Sequence, residues 1–156
     1  MKPTLATHLA AFICGLEEDT LPADVTDKAR TCLLNGFGIG YAGLGTPYHV
    51  VAARTARAMY GDGGDATLLA DGTQSTISGA VLANGALFHG RAQEDTCGAA
   101  HLGAVMIPLL TALIETGRAA TDDLIPSLVA GYEAGGVFEE LLAIHSTPVG
   151  FRATTV

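Results

Sequence analysis

Between residues 84 and 101 this chain gathers a dense cluster of side chains that could do chemistry. His89, Arg91, Glu94, Asp95, Thr96, Cys97 and His101 fall together, flanked on both sides by apolar stretches. A segment that only reversed the chain would not need two imidazoles, two adjacent carboxylates, a guanidinium, a hydroxyl and a thiol. Titratable groups held between apolar elements point to a cleft, where burial tunes acids and bases. The chemistry that fits is proton transfer on a carboxylate substrate. Histidine both takes and returns a proton near neutral pH, so His101 is the candidate acid/base. Asp95 can orient an imidazole, Thr96 can donate a hydrogen bond, and Arg91 or Arg152 can grip a carboxylate with a forked guanidinium. Glu94 and His89 join the arginines as candidate substrate-binding groups.

Competing motifs are weaker. The spacing of His89, Glu94, Asp95 and His101 matches no common ligand pattern, so no metal is assigned. Cys97 lacks the strand-turn-helix elbow of a nucleophile and reads as a packing thiol. Gly38, Gly40 and Gly43 spell G-x-G-x-x-G, but the residues before them carry helical periodicity and Pro47 follows closely. The dinucleotide motif needs a strand before it and a helix after it. Small residues that let helices approach closely explain the pattern better.

These groups must be positioned by helices. Apolar residues recur at helical spacing over about residues 4–17, from 21–22 to about 42, and from 46–47 to a stop at Gly61. Residues 66–70 form a brief extended piece. Further helices are expected over about 76–88, about 102–116 with Pro108 kinking or tightening it, and from a Thr121 cap to about 142. His101 would stand at the N-terminus of the fifth helix, where backbone N–H groups favour an anion. The fold class is therefore all-α, a multi-helix bundle with no internal repeat.

Composition narrows the setting. The 156 residues hold 49% hydrophobic side chains, 20 glycines and no tryptophan, so the core is built from small aliphatic residues. The net charge of −8 opposes nucleic acid and anionic membranes. No apolar run is long enough for a membrane span and no secretory signal is visible. Three dispersed cysteines fit no disulfide framework; Cys14 and Cys32 read as small core residues, and the expected compartment is a reducing cytoplasm.

The ordered set Asn84-Gly85, His89, Glu94-Asp95-Thr96, His101, Gly103 to Pro108 and Ala112-Leu113 resembles the core of the MmgE/PrpD family. Gly131-Tyr132-Glu133 and Gly150-Phe151-Arg152-Ala153-Thr154 follow in that family's order. The resemblance spans essentially the whole chain. It implies a metal-independent, cofactor-free enzyme such as a 2-methylcitrate dehydratase or cis-aconitate decarboxylase, with a large helical domain, a smaller α+β lid and usually a dimeric assembly. Substrates would be small di- or tricarboxylic acids, with Asp95, Thr96 and His101 lining the pocket.

Two positions depart from the family. Ala92 stands where an aspartate is common, and Arg152 stands where Gly-Phe-His is usual. Residues 1–156 correspond to the N-terminal part of the helical domain, without the lid. The expectation is an N-terminal subunit or fragment of a split lyase or isomerase, completed by a second chain and oligomeric through an apolar face. The alternative is a non-catalytic helical remnant or interaction module.

Overall fold

A computed structural model describes residues 3–98, 100–146 and 148. Among the described residues six α-helices dominate: α1 (Leu5–Cys14), α2 (Ala23–Gly43), α3 (Tyr48–Tyr60), α4 (Ile77–His89), α5 (Gly103–Glu115) and α6 (Leu124–Ser146). Short 3-10 turns precede α2 and α6, at Glu18–Thr20 and Thr121–Asp123. The brief extended piece is strand β1 (Ala66–Thr67), paired antiparallel with β2 (Gln74–Ser75). The all-α expectation holds, with this small hairpin as its one addition.

Local chemistry sets the boundaries. The Thr76 side chain accepts the Gly79 N–H at 3.2 Å and caps α4. Gly61 ends α3 with φ +81°, a conformation that costs glycine little. Pro108 lies inside α5 without breaking it. It removes one N–H from the helix ladder, and the Ala104 carbonyl that would have received it lies against α4 at Gly85. The cap before α6 differs from expectation. Thr121 makes no cap bond; Asp123 instead accepts the Ala120 N–H at 3.2 Å, because the chain first makes a 3-10 turn there.

Helix α4 is the centre of the packing. One core joins Ala29 of α2, Leu87 and Phe88 of α4, Ala104, Ile107 and Leu110 of α5, and Leu128 and Val129 of α6. A second, built almost wholly of alanine, joins α3, β1, α4 and α5 through Ala53, Ala56, Ala66, Leu68, Ala80, Ala83 and Ala112. Asn84, buried inside α4, ties the two layers together. Its amide donates to the Thr67 carbonyl at 2.9 Å and its oxygen accepts the Leu69 N–H at 2.8 Å.

Two of the three glycines in the α2 pattern act as expected, while Gly38 faces open space. A Cβ at Gly40 would lie 2.8 Å from the Phe88 ring, and one at Gly43 would strike the Leu87 carbonyl. The G-x-G-x-x-G pattern is thus a helix-crossing surface. Cys32 is buried as expected, but Cys14 is exposed. The reason is that α1 buries none of its residues, so its apolar stripe of Leu5, Phe12 and Ile13 faces outward among the described residues. Leu34, Phe37, Tyr41, Tyr48, Val50, Val51 and Met59 are exposed as well, leaving broad apolar surface on α2 and α3. Among the described residues, no helix is long and apolar enough to cross a membrane.

Candidate functional site

The connector from α4 to α5 folds so that its two ends meet. Helix α4 stops at His89, and Ala92 then takes a left-handed backbone, φ +50°, while its N–H bonds to the His89 carbonyl at 2.9 Å. A second reversal runs through Gly98, φ +62°, closed by reciprocal backbone bonds between Cys97 and Ala100 at 3.0 and 3.2 Å. These two reversals return the chain to the start of α5. His101 therefore faces His89, with ring centroids 5.0 Å apart and planes at 76°.

Between the two imidazoles lies Glu94, whose side chain is completely buried. His89 Nδ1 hydrogen-bonds to Glu94 Oε1, and His101 Nδ1 lies 2.9 Å from the same oxygen. The second carboxylate oxygen, Oε2, is buried without a hydrogen bond among the described residues. Removing a carboxylate from water is costly unless opposite charge or donors replace the lost hydration. His89 supplies a hydrogen bond in its place, and His101 lies within ion-pair distance of the same oxygen. Both remain reachable: the side chains of His89 and His101 are 42% and 24% exposed.

Asp95 turns the other way. Its Oδ2 accepts a hydrogen bond from the Tyr132 hydroxyl of α6, and its carboxylate also acts on the Cys32 thiol of α2. Gly103 makes room for it, since a Cβ there would sit 3.0 Å from both Asp95 oxygens and from the Tyr132 hydroxyl. The carboxylate thus lies at the first turn of α5, where Leu102 provides no side-chain cap and the helix dipole favours negative charge. Burial, then the hydrogen bond and charge of Asp95, push Tyr132 far above the ordinary tyrosine range. Burial, reinforced chiefly by Asp95, also raises Cys32. The carboxylate beside the imidazoles is therefore Glu94, while Asp95, expected there, meets Tyr132 instead.

The remaining candidates are scattered. Thr96 and Arg91 are exposed, and Arg91 Nε donates to Gln93 Oε1 at 2.9 Å rather than facing the imidazoles. Arg152 lies outside the described residues. Cys97 packs on α6, where a Cβ at Gly136 would come within 2.5 Å of its sulfur. Burial, with Glu133 and Glu139 nearby, raises its pKa, which suits a protonated packing thiol better than a nucleophile. Tyr132 was not singled out for the site by sequence reasoning. Its one signal is a phenol within a largely apolar helix, at the middle of Gly131-Tyr132-Glu133.

A cleft of about 280 Å³ opens between α2 and α6 on the Tyr132 side, lined by Val25, Lys28, Cys32, Leu128 and Tyr132 among others; His89, Glu94 and His101 do not line it. The arrangement can shuttle a proton at the imidazoles beside Glu94, while Asp95 and Tyr132 brace the connector from below. The family described as the MmgE/PrpD N-terminal domain matches residues 7–156. No curated protein and no solved structure matches the chain.

Proposed function

Because the chain belongs to the MmgE/PrpD family, we propose that it supplies the acid/base half of a lyase or isomerase acting on small di- or tricarboxylic acids. The observation that carries this reading is the pair of partly exposed imidazoles set against the buried Glu94. His101 takes the proton from the carbon next to a substrate carboxylate. In a dehydration the electron pair left behind forms the C=C bond while the C–O bond on the neighbouring carbon breaks and hydroxide takes up a proton as water. In an epimerisation the carbon recaptures a proton. In a decarboxylation the C–CO2 bond breaks instead, its pair stays on carbon, and the protonated His101 delivers a proton there. Glu94 steadies the imidazolium that forms, the role a buried carboxylate plays beside a catalytic histidine. Thr96 donates to the substrate, and Arg91 and Arg152 grip its carboxylates. These steps need proton transfer only, so neither a metal nor an organic cofactor is assigned to them.

The active unit in this reading includes a second chain carrying the C-terminal part of the family fold, with further copies in the oligomer. The exposed apolar side chains of α1, α2 and α3 support it, since broad apolar surface is costly in water and marks association sites. The test is to express residues 1–156 with a protein carrying that C-terminal part and assay the assembly on dehydratable and decarboxylatable tricarboxylates. Copurification and turnover support the proposal. Assembly without turnover of any such acid favours the other reading, a helical interaction module, for which Ala92 in place of the family's aspartate is the supporting observation.

A further inference from the structure

His89, Glu94 and His101 each offer a donor atom, and the three atoms lie within 4.8 Å of one another. The spacing in the sequence hides this, because only the two reversals at Ala92 and Gly98 bring the ends of the connector together. Glu94 adds an independent observation. Its side chain is wholly buried, and Oε2 has no hydrogen bond among the described residues. A buried carboxylate oxygen left without a partner is expensive, and a cation bound across the carboxylate removes that cost.

The donor set selects the kind of cation. Calcium and magnesium take oxygen ligands almost exclusively, whereas two imidazoles and one carboxylate suit zinc and its first-row neighbours. Zinc bonds of about 2.0–2.2 Å place neighbouring ligand atoms roughly 3.3 Å apart. The present donors lie within 4.8 Å of one another, near that spacing, and both rings are partly exposed.

We propose that His89, Glu94 and His101 form a binding site for one divalent transition-metal cation, with zinc as the best match. Occupancy holds the His101 ring in coordination and withdraws it from proton transfer, so the cation acts as an inhibitor. That consequence rests on the function proposed above; the binding itself does not.

Binding is therefore measured without substrate, by equilibrium dialysis of the full chain against zinc chloride and by visible absorption with cobalt(II). Cysteine-alkylated protein is run alongside, so that thiol sites are separated from the imidazole site. The expected result is about one saturable equivalent that survives alkylation, with a cobalt spectrum free of thiolate charge transfer. Glu94→Gln and His89→Ala should each weaken binding at least about tenfold. Absence of saturable binding to the alkylated wild-type chain overturns the proposal, whatever the variants do. So does unchanged affinity in both variants, checked for folding by circular dichroism. If the cation binds as expected yet leaves turnover of the assembled enzyme untouched, the site stands and the acid/base assignment of His101 falls.

Discussion

His101 Nδ1 stands 2.9 Å from Oε1 of Glu94, and this one distance orders the rest of the site. Glu94 is wholly buried, so its position is fixed by packing rather than by solvent. His101 immediately precedes the N-cap of α5 and is fixed by the helix. A ring set between a buried carboxylate and a helix end is preorganised, as the acid/base role proposed for His101 requires.

The glycines of α2 separate packing from propensity. Gly38 faces open space, whereas a Cβ at Gly43 would meet the Leu87 carbonyl, a backbone atom that cannot swing aside. Gly38→Ala should stabilise the chain by up to about 1 kcal/mol through helix propensity. Gly43→Ala should destabilise it by about 3 kcal/mol, at the upper end of overpacking costs. Urea unfolding of the two variants checks both signs; equal effects would mean that α2 and α4 do not cross here.

Ala92 carries a conformation that suits glycine, asparagine or aspartate better than alanine, with φ +50°. Ala92→Gly should raise unfolding stability by about 1 kcal/mol by relieving the left-handed strain. A loss of stability in the same urea titration would show that the reversal after α4 is not left-handed.

Tyr132 gives the fold an alkaline limit. The folded chain keeps its phenolic proton well above the ordinary range, because burial and the Asp95 hydrogen bond disfavour the phenolate. The unfolded chain releases that proton near the ordinary tyrosine value of 10.0. Stability from this group is therefore complete below that pH and declines as pH rises above it. Tyr132→Phe should cost about 2 kcal/mol near neutrality, since it strips a donor from a buried carboxylate, and should flatten the alkaline decline. In an Asp95→Ala background the same substitution should cost much less. Additive losses would uncouple the pair.

The three cysteines should react in a set order. Cys14 is exposed, Cys97 is partly covered, and Cys32 is buried. Burial raises both Cys97 and Cys32, so each carries little thiolate at mildly alkaline pH. Iodoacetamide at pH about 8, followed by peptide mass spectrometry, should label Cys14 first, Cys97 more slowly and Cys32 last, with the two slower rates climbing as pH rises. Rapid labelling of Cys97 would revive a nucleophilic role.

Periodicity located the helices because their buried faces repeat along the chain, and the small residues of α2 announced a close crossing at Gly40 and Gly43. The same periodicity misplaced Cys14. An apolar stripe shows which face avoids water, but not whether another element covers it. Within the connector, residue types pointed correctly to a cluster but not to its pairing. Whether Glu94 or Asp95 meets His101 depends on the left-handed residue at 92 and the turn at Gly98, and neither leaves a periodic trace. Tyr132 was hidden for another reason: it reaches Asp95 from a distant helix, and tertiary packing alone makes them neighbours.

The claim that His101 is the acid/base group is tested most directly by the kcat of the assembled enzyme carrying His101→Gln, beside Cys97→Ser as a control. His101→Gln should lower kcat by about 10²-fold or more, the scale of a positioned acid/base group, while Cys97→Ser stays within a few-fold of the parent. A His101→Gln enzyme that keeps its kcat within a few-fold, above all beside an inactive Cys97→Ser, would contradict the assignment and move the chemistry to the thiol.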